Sequence, residues 1–207
     1  MRDAENIRAV EALGIDWMGF IFWPHSSRFV SERPAYLPTR AKRVGVFVDE
    51  DIEHVCHIAG DYALDLIQLH GSESPAYLRA LRQHLADEGS PIAIIKAFNI
   101  ATAADLAQTA PYAGLADCFL FDTKALQPGG NGMQFDWSIL TAYDATTPFL
   151  LSGGIGPADA KNLRRAFALD GFPVGKCLGI DLNSRFESAP ALKDVEALRH
   201  FLQDLKS

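Results

Sequence analysis

Short apolar runs alternate with amphipathic segments along the whole 207-residue chain. Apolar runs of this kind are typical of parallel strands that are covered on both faces. Seven of them span residues 17–22, 43–48, 64–70, 92–98, 118–122, 148–153 and 177–182. The alternation of strands and helices therefore predicts an α/β fold built on a parallel sheet.

Helical patterns fill several of the segments around the predicted strands. They span residues 1–14, 74–85, 157–168 and 194–205. In the last of them the apolar residues fall along one stripe at helical spacing, and these are Val195, Leu198, Phe201, Leu202 and Leu205. Ser74 with Pro75, and Gly156 with Pro157, are suitable helix starts. Because no linker or low-complexity tract interrupts the series, we expect a single domain over residues 1–207.

A closed (β/α)8 barrel of the TIM type and an open doubly wound sheet both show this alternation. The spacing of roughly 25–30 residues per strand–helix unit and the glycine-bearing loops after most strands favour the barrel. The open sheet would carry a G-x-G-x-x-G fingerprint after its first strand. That motif is absent, and "GGIGPAD" at residues 153–159 lacks the third glycine. We therefore predict the barrel.

The number of strands raises a question about the barrel. A closed barrel of this kind needs eight strands, whereas the chain offers seven. The chain begins with an amphipathic helix that carries Ile7, Val10 and Leu13 on one side and Gly14 at its end. Either the barrel is open or capped differently, or its first strand lies upstream of residue 1. We favour the second interpretation.

Composition restricts the classes of function. The formal net charge of −7 and the pI near 5.3 argue against a nucleic-acid-binding surface. No stretch of 18 or more apolar residues and no secretion signal occurs, so we expect a cytoplasmic protein that does not bind a membrane. The three cysteines, Cys56, Cys118 and Cys177, are far apart and form no C-x-x-C pair. We therefore expect reduced cysteines rather than disulfides or a structural zinc site.

Three predicted strands end in polar or ionisable residues. Strand alternation puts His70 on the same face as Leu66 and Gln68, Asp122 on the same face as Cys118 and Leu120, and Asp181 on the same face as Cys177 and Gly179. In a barrel of this type the active site lies at the carboxyl ends of the strands. A single aspartate at a strand end often only caps the next helix, but the three residues together predict a site. Cys118 and Cys177 open their strands at the opposite end and are expected to be packing residues.

Two late loops predict an anion-binding element. "LSGGIGPADA" ends one strand in Gly153 and Gly154 and leads into a helix, while "GIDLNSRFES" places Asn183 and Ser184 after the last strand. Barrels commonly bind phosphate in the corresponding loops through backbone N–H groups and a helix N-terminus. The alternative is two tight turns that need glycine only for their backbone conformation.

Two other groups of residues are weaker candidates. His54 and His57 flank Cys56, but no carboxylate or third ligand is patterned with the histidines, so a solvated helix face is the better interpretation. Lys96 in "IIKAF" is a candidate Schiff-base lysine. It equally suits a salt bridge inside the barrel.

The chain resembles phosphoribosylanthranilate isomerase, a barrel enzyme of tryptophan biosynthesis, over essentially its whole length. The motifs that carry the resemblance are "GFIFWPHSSRFVS", "VGVFVDE", "IQLHG", "IKAF", "FLFDT" with "GGNGMQFDW", "PFLLSGGI" and "GIDLNSRFESAPALKD". "QLHG", the "DT…GG-x-G…FDW" segment and a final "ES-x-P…KD" in this order are specific features.

The resemblance implies a reaction and a set of residue roles. Members of the family convert N-(5-phosphoribosyl)anthranilate to 1-(2-carboxyphenylamino)-1-deoxyribulose 5-phosphate by an Amadori rearrangement, without a metal or an organic cofactor. It implies that Asp122 is the general acid, Arg28 binds the substrate carboxylate, Asp181 contacts a sugar hydroxyl and His70 lines the pocket. The phosphate would be bound by Gly153, Gly154, Asn183 and Ser184. The glycine-rich loop after Asp122 would cover the pocket.

The resemblance also places the catalytic cysteine, the general base of the family, two residues before Met1. None of the cysteines in the chain matches that position, so we expect a weak or inactive isomerase that acts on a small phosphorylated molecule as a monomer or homodimer. Two alternatives remain open at this point. One is a phosphosugar-binding barrel without catalytic activity, and the other is an aldolase that works through Lys96.

Overall fold

The main sheet of the computed structural model, which describes residues 1–123 and 136–206, contains seven parallel strands. Along the chain these are β1 (Trp17–Ile21), β2 (Lys42–Phe47), β3 (Leu66–Leu69), β4 (Ala93–Ile100), β5 (Cys118–Thr123), β6 (Phe149–Ser152) and β7 (Cys177–Ile180). They are hydrogen-bonded to one another in chain order. A doubly wound sheet would instead reverse its strand order at a switch point. The seven predicted strands and the barrel-type order are therefore confirmed, and most strand ends shift by only one or two residues.

Five α-helices and several 3-10 helices lie in the described part of the chain. The α-helices are α1 (Ala4–Glu11), α2 (Ile52–Tyr62), α3 (Pro75–Asp87), α4 (Ala160–Phe167) and α5 (Val195–Lys206). The 3-10 helices span Ala103–Tyr112, Trp137–Ala142, Pro157–Asp159, Val174–Lys176 and Ser184–Phe186, and a short antiparallel hairpin joins β8 (Glu187–Ala189) to β9 (Leu192–Lys193). None of the described helices is both long and apolar enough to cross a membrane.

The two faces of the sheet have separate apolar clusters. The cluster on the inner face contains no helical residue and is formed by Val44, Leu66, Ile95, Ala97, Cys118, Leu120 and Leu150. The outer face packs against the helices with large, fully buried rings such as Phe20, Phe47, Phe119, Phe121 and Phe149. Alternation along each strand produces this division. It also decides which side of the sheet each polar side chain occupies.

Sequence signals account for the ends of the helices. The Ser74 hydroxyl accepts a hydrogen bond from the Tyr77 N–H at 3.3 Å, and Pro75 is the first residue of α3, as predicted. Gly156 and Pro157 instead begin a 3-10 turn that leads into α4. The apolar stripe of α5 is confirmed, since Leu198 and Phe201 are buried in the core under this helix.

No helix covers the described residues 22–41 between β1 and β2, and the buried carboxylate of Glu11 holds the end of this segment instead. Its Oε1 accepts from the backbone N–H groups of Thr39, Arg40 and Ala41 at 2.7, 2.6 and 3.1 Å, and its Oε2 accepts from the Tyr36 hydroxyl at 2.6 Å. Burial alone would raise the pKa of Glu11, but these hydrogen bonds outweigh it and lower the pKa to about 2.

The described strands form an open barrel sheet. Strands β1 and β7 each pair with a single neighbour among the described residues, and no ladder joins them to each other. Leu178 on β7 is 54% exposed, which agrees with its position on an edge strand. The expectation that a further strand precedes residue 1 stays a prediction.

Candidate active site

One cavity of about 230 Å³ at the carboxyl ends of the strands brings the three predicted strand-end residues together. It is lined by His70, Asp122, Ser152, Gly153, Gly154, Ile155, Asp181, Asn183 and Ser184. Asp122 lies on β5, while His70 and Asp181 directly follow β3 and β7. The three side chains converge because the carboxyl ends of these alternate strands meet at the same opening of the barrel sheet. Seven of the eight residues expected at the site from the sequence lie in this lining.

Asp122 and His70 face each other across the cavity. The carboxylate Oδ2 of Asp122 lies 3.8 Å from the imidazole Nε2 of His70, a distance that suits an ion pair but is too long for a hydrogen bond. The other ring nitrogen, Nδ1, lies 3.0 Å from the amide nitrogen of the buried Gln68. With the amide in this orientation Nδ1 accepts, so a neutral imidazole carries its proton on Nε2, towards Asp122. Gln68 thereby fixes the ring plane of His70.

Ser152 lies on β6, the strand between β5 and β7. It is the register partner of Asp122 in the pairing of β5 with β6, and its hydroxyl donates to Oδ2 of Asp181 at 3.0 Å. The backbone N–H of Asp181 donates to the Leu151 carbonyl at 2.8 Å. Asp181 is therefore held through both its main chain and its side chain, with a carboxylate oxygen directed to the cavity. Ser152 was not singled out from the sequence, because a serine at a strand end carries no distinctive signal.

The glycine loop after β6 has two successive residues with positive φ angles. Gly153 and Gly154 have φ angles of 101° and 65°, in the left-handed region that other residues adopt at an energetic cost. No hydrogen bond within the described residues uses the N–H of Gly153, Gly154 or Ser184 as donor. The N–H of Gly156 already donates to the Asp159 carboxylate at 2.7 Å. An anion would therefore be bound by the loop N–H groups rather than by the start of α4, which refines the sequence-based interpretation.

Asn183 is positioned by a chain of charged groups behind the cavity rim. The Lys193 ammonium donates to the Asn183 side-chain oxygen at 2.7 Å and to its carbonyl at 3.1 Å, and it pairs with Glu187 at 3.0 Å. Burial lowers the pKa of Lys193, and the charge of Glu187 only partly opposes this effect. Burial would raise the pKa of Glu187, but hydrogen bonds from Arg28 and Lys193 lower it. Lys193 and Glu187 lie in the "ES-x-P…KD" motif, yet the sequence alone assigned them no role.

Arg28 is the one expected site residue that does not line the cavity. Its guanidinium binds Glu187, with Nη2 at 2.7 Å from Oε2 and Nε at 2.9 and 3.1 Å from the two carboxylate oxygens. The third nitrogen, Nη1, has no hydrogen-bond partner among the described residues. The expected contact of Arg28 with a substrate carboxylate stays a prediction, and it would involve Nη1 or a release of Glu187.

Lys96 lies on the other side of the sheet. It shares the helix-facing side of β4 with Ile94 and Phe98, and its ammonium pairs with the buried Glu73 at 2.9 Å. It also donates to the carbonyls of Gly71 and Ala97 at 2.8 and 3.2 Å. The alternative of a Schiff-base lysine in the active site is therefore wrong, and so is the placement of its salt bridge inside the barrel. The physical reason is the parity of β4, which turns Ile95 and Ala97 inward instead.

The cysteines and the covering loop complete the comparison with the sequence. Cys118 and Cys177 open β5 and β7, as expected, and burial raises the pKa of the Cys118 thiol to about 12. Cys56, Cys118 and Cys177 are free thiols. The glycine-rich part of the loop expected to cover the pocket falls within 124–135, which lies outside the described residues.

The fold and the cavity define a barrel-type protein with a carboxylate–imidazole pair and a glycine loop at the carboxyl ends of its strands. A sequence model of the family described as N-(5'phosphoribosyl)anthranilate (PRA) isomerase matches residues 1–204. The N-(5'-phosphoribosyl)anthranilate isomerase of Phocaeicola vulgatus is 47% identical over 206 residues, which is 100% of this chain and 95% of the relative. The chain belongs to this isomerase family.

Solved structures of the family share the fold. The phosphoribosyl anthranilate isomerase of Thermotoga maritima has a TM-score of 0.79 and 31% identity, with 100% of this chain and 95% of the other covered. A phosphoribosyl anthranilate isomerase in complex with reduced 1-(o-carboxyphenylamino)-1-deoxyribulose 5-phosphate has a TM-score of 0.75 and 28% identity, with coverages of 100% and 98%. These matches confirm the TIM-type barrel fold.

Proposed function

We propose that this protein catalyses the Amadori rearrangement of N-(5-phosphoribosyl)anthranilate to 1-(2-carboxyphenylamino)-1-deoxyribulose 5-phosphate, a step of tryptophan biosynthesis. The observation that carries the proposal is the position of the Asp122 carboxylate in the same cavity as the glycine loop of Gly153 and Gly154. A proton donor and an anion-binding loop on one small cavity suit a phosphorylated sugar whose ring must be opened. Membership of the family supports the same reaction.

Asp122 acts as the general acid in this proposal. It donates a proton to the ribose ring oxygen, the bond between that oxygen and C1 breaks, and the nitrogen lone pair forms a C1–N iminium. A base then removes the proton from C2, the electrons of that bond neutralise the iminium, and the enolamine tautomerises to the ketone. His70 presents its Nε2 towards Asp122 at 3.8 Å, so a small approach would let the neutral imidazole donate a hydrogen bond to the carboxylate that the proton transfer leaves behind.

The substrate would lie with its phosphate on the glycine side of the cavity. The N–H groups of Gly153, Gly154 and Ser184 and the side chain of Asn183 would bind the phosphate oxygens, while Asp181 accepts a hydrogen bond from a ribose hydroxyl. A solved relative binds a phosphorylated compound related to the product, which supports a phosphorylated ligand for this cavity. Arg28 would bind the anthranilate carboxylate through Nη1, or through a bidentate contact after release of Glu187.

The general base belongs to the untested part of the proposal. The family resemblance assigns this role to a cysteine that Cys56, Cys118 and Cys177 do not match, and an added strand could pair with β1 or β7, which each have one neighbour among the described residues. The chain as printed and a chain extended by a Lys-Val-Cys-Gly strand should therefore be compared in an assay that follows the loss of anthranilate fluorescence. Turnover that appears with the extension favours the isomerase. Continued inactivity together with phosphate binding favours the non-catalytic phosphosugar-binding barrel.

Replacement of Asp122 tests the acid directly, in whichever of the two chains turns over faster. Asp122→Asn keeps the shape of the side chain and removes the transferable proton, so kcat should fall by about 10²- to 10⁴-fold. Asp170→Asn, a change at an exposed aspartate beyond α4, is the control and should leave kcat unaltered. An Asp122→Asn variant with wild-type turnover contradicts the assignment of the acid.

We further propose that residues 1–207 form a single cytoplasmic domain that needs no cofactor. It would act as a monomer or as a homodimer. Sedimentation velocity over a range of protein concentrations tests that choice.

A further inference from the structure

Three side chains with metal-binding atoms meet on the outer helical layer. Cys56 lies in the middle of α2, His84 lies in the last turn of α3, and Glu88 directly follows α3. One ligand atom from each side chain, a sulfur, a nitrogen and an oxygen, lies within 4.8 Å of each of the others. Cys56 and His84 are partly buried, whereas Glu88 is exposed. None of the three lines the active-site cavity, so the reaction leaves them unexplained.

The geometry of this cluster agrees with tetrahedral coordination. Zinc bonds of about 2.0–2.1 Å to nitrogen and oxygen, at a tetrahedral angle, separate the two ligand atoms by about 3.3 Å. The distance from His84 Nε2 to Glu88 Oε1 is 3.3 Å. Residues at i and i+4 face the same side of a helix, so the backbone at the end of α3 keeps these two side chains close together. Cys56 approaches from the neighbouring helix and needs only a small side-chain movement to complete three ligands.

We propose that Cys56, His84 and Glu88 form a binding site for a divalent transition metal of the zinc type, which links α2 to α3. Mixed sulfur, nitrogen and oxygen ligands suit zinc and cobalt, whereas magnesium and calcium take oxygen ligands. The exposed position of Glu88 leaves room for water as a fourth ligand. The metal would have a structural role, because the cluster lies on the helices and not at the carboxyl ends of the strands.

Metal binding at this site requires deprotonation of Cys56. The Cys56 thiol loses its proton to solvent, and the sulfur lone pair forms the metal–thiolate bond without a change of oxidation state. The formation of a metal–thiolate bond therefore reports directly on metal at this cluster.

Cobalt is the spectroscopic probe for the experiment. Chelator-treated protein titrated with Co²⁺ should bind one ion per chain, with thiolate-to-cobalt absorption in the near ultraviolet and the intense visible bands of tetrahedral cobalt. Zn²⁺ should displace the signal and raise the melting temperature. Cys56→Ser should abolish the thiolate band, and His84→Ala should weaken Co²⁺ binding by at least the roughly 10- to 100-fold that loss of an outer-shell partner already produces.

The chain provides a matched control on the same helix. His57 and Asp61 of α2 form another i, i+4 pair, with Nε2 and Oδ2 also 3.3 Å apart, but this pair is not part of the three-ligand cluster. His57→Ala should therefore keep the cobalt spectrum and affinity. The absence of a thiolate band in the wild type would overturn the proposal. So would a band that survives Cys56→Ser, or equal losses in His84→Ala and His57→Ala.

Discussion

At the scale of single residues, the buried pair of Lys96 and Glu73 links backbone segments from the helix-facing side of the sheet. Glu73 accepts from the backbone N–H groups of Asp49 and Gly71 at 3.0 and 3.1 Å, while Lys96 donates to the Gly71 carbonyl at 2.8 Å. These bonds join the loops after β2 and β3 to β4. A buried pair of this kind contributes little net stability compared with apolar residues, but removal of one partner leaves a buried charge without compensation.

The variant Lys96→Met should lower the free energy of unfolding by about 3–5 kcal/mol, because it leaves the Glu73 carboxylate unpaired. The double variant with Glu73→Gln should recover most of this loss, since glutamine keeps an acceptor for the backbone N–H groups. Urea unfolding of the wild type, both single variants and the double variant measures the coupling. Additive losses in this cycle would contradict the buried pair.

The same lysine separates the isomerase from the aldolase that the sequence left open. Lys96 is enclosed by Glu73 and backbone carbonyls on the helix-facing side of β4. Borohydride in the presence of substrate should therefore trap no adduct on this residue.

At the scale of structural elements, the proposed anion binding by the loop after β6 depends on the left-handed backbone conformation of its glycines. Gly154 and Gly89 both have a φ angle of 65°, and at both positions a Cβ atom would meet nothing within 4 Å. One lies at the cavity and the other follows α3. An alanine would therefore meet the same backbone strain at either position, and only one of the two positions lies at the cavity.

Gly154→Ala and Gly89→Ala should each lower the free energy of unfolding by about 1–2 kcal/mol, the usual difference for a left-handed residue that gains a Cβ. Only Gly154→Ala should also weaken the binding of inorganic phosphate, by roughly tenfold, because the shifted loop loses an N–H bond to a charged group. Isothermal titration with phosphate measures the difference. Equal phosphate affinities in the two variants would exclude the glycine loop as the anion site.

The sequence predicted the secondary-structure elements better than the contacts between residues that are distant in the chain. The apolar runs identified all seven strands, and alternation placed Asp122 and Asp181 on the inner face, because both properties are local. The segment Ala103–Tyr112 formed a 3-10 helix with Pro111 inside, although it occupies a position where an α-helix would be usual. The pairing of Arg28 with Glu187 joins residues that are distant in the chain, so no local pattern could predict it.

At the scale of the whole molecule, the strands of the main sheet differ in the number of neighbours with which they pair. Strands β2 to β6 have a neighbour on both sides, whereas β1 and β7 each have one among the described residues. An edge strand exposes backbone N–H and C=O groups, and it opens more readily than a strand in the centre of the sheet.

Hydrogen–deuterium exchange should therefore show the slowest amide exchange in β3, β4 and β5, and clearly faster exchange in β1 and β7. Mass spectrometry of peptic peptides gives this profile for the chain as printed, and the chain with the added strand is the control. The addition should slow exchange in β1 and β7 and leave β4 unaltered. Equal protection of all seven strands before the addition would mean that another segment already pairs with the two edges.

The main-chain character of the glycine loop has a consequence for how proteins of this kind diverge. A phosphate held by backbone N–H groups is insensitive to most side-chain replacements in the loop, provided that Gly153 and Gly154 keep their conformation. In the proposed site, the remaining parts of a ligand would depend instead on individual side chains such as His70, Asp122 and Asp181, which line the same cavity. Mutation could therefore exchange one phosphorylated substrate for another while the phosphate stays bound, so new activities would arise through the residues at and after the ends of β3 and β5.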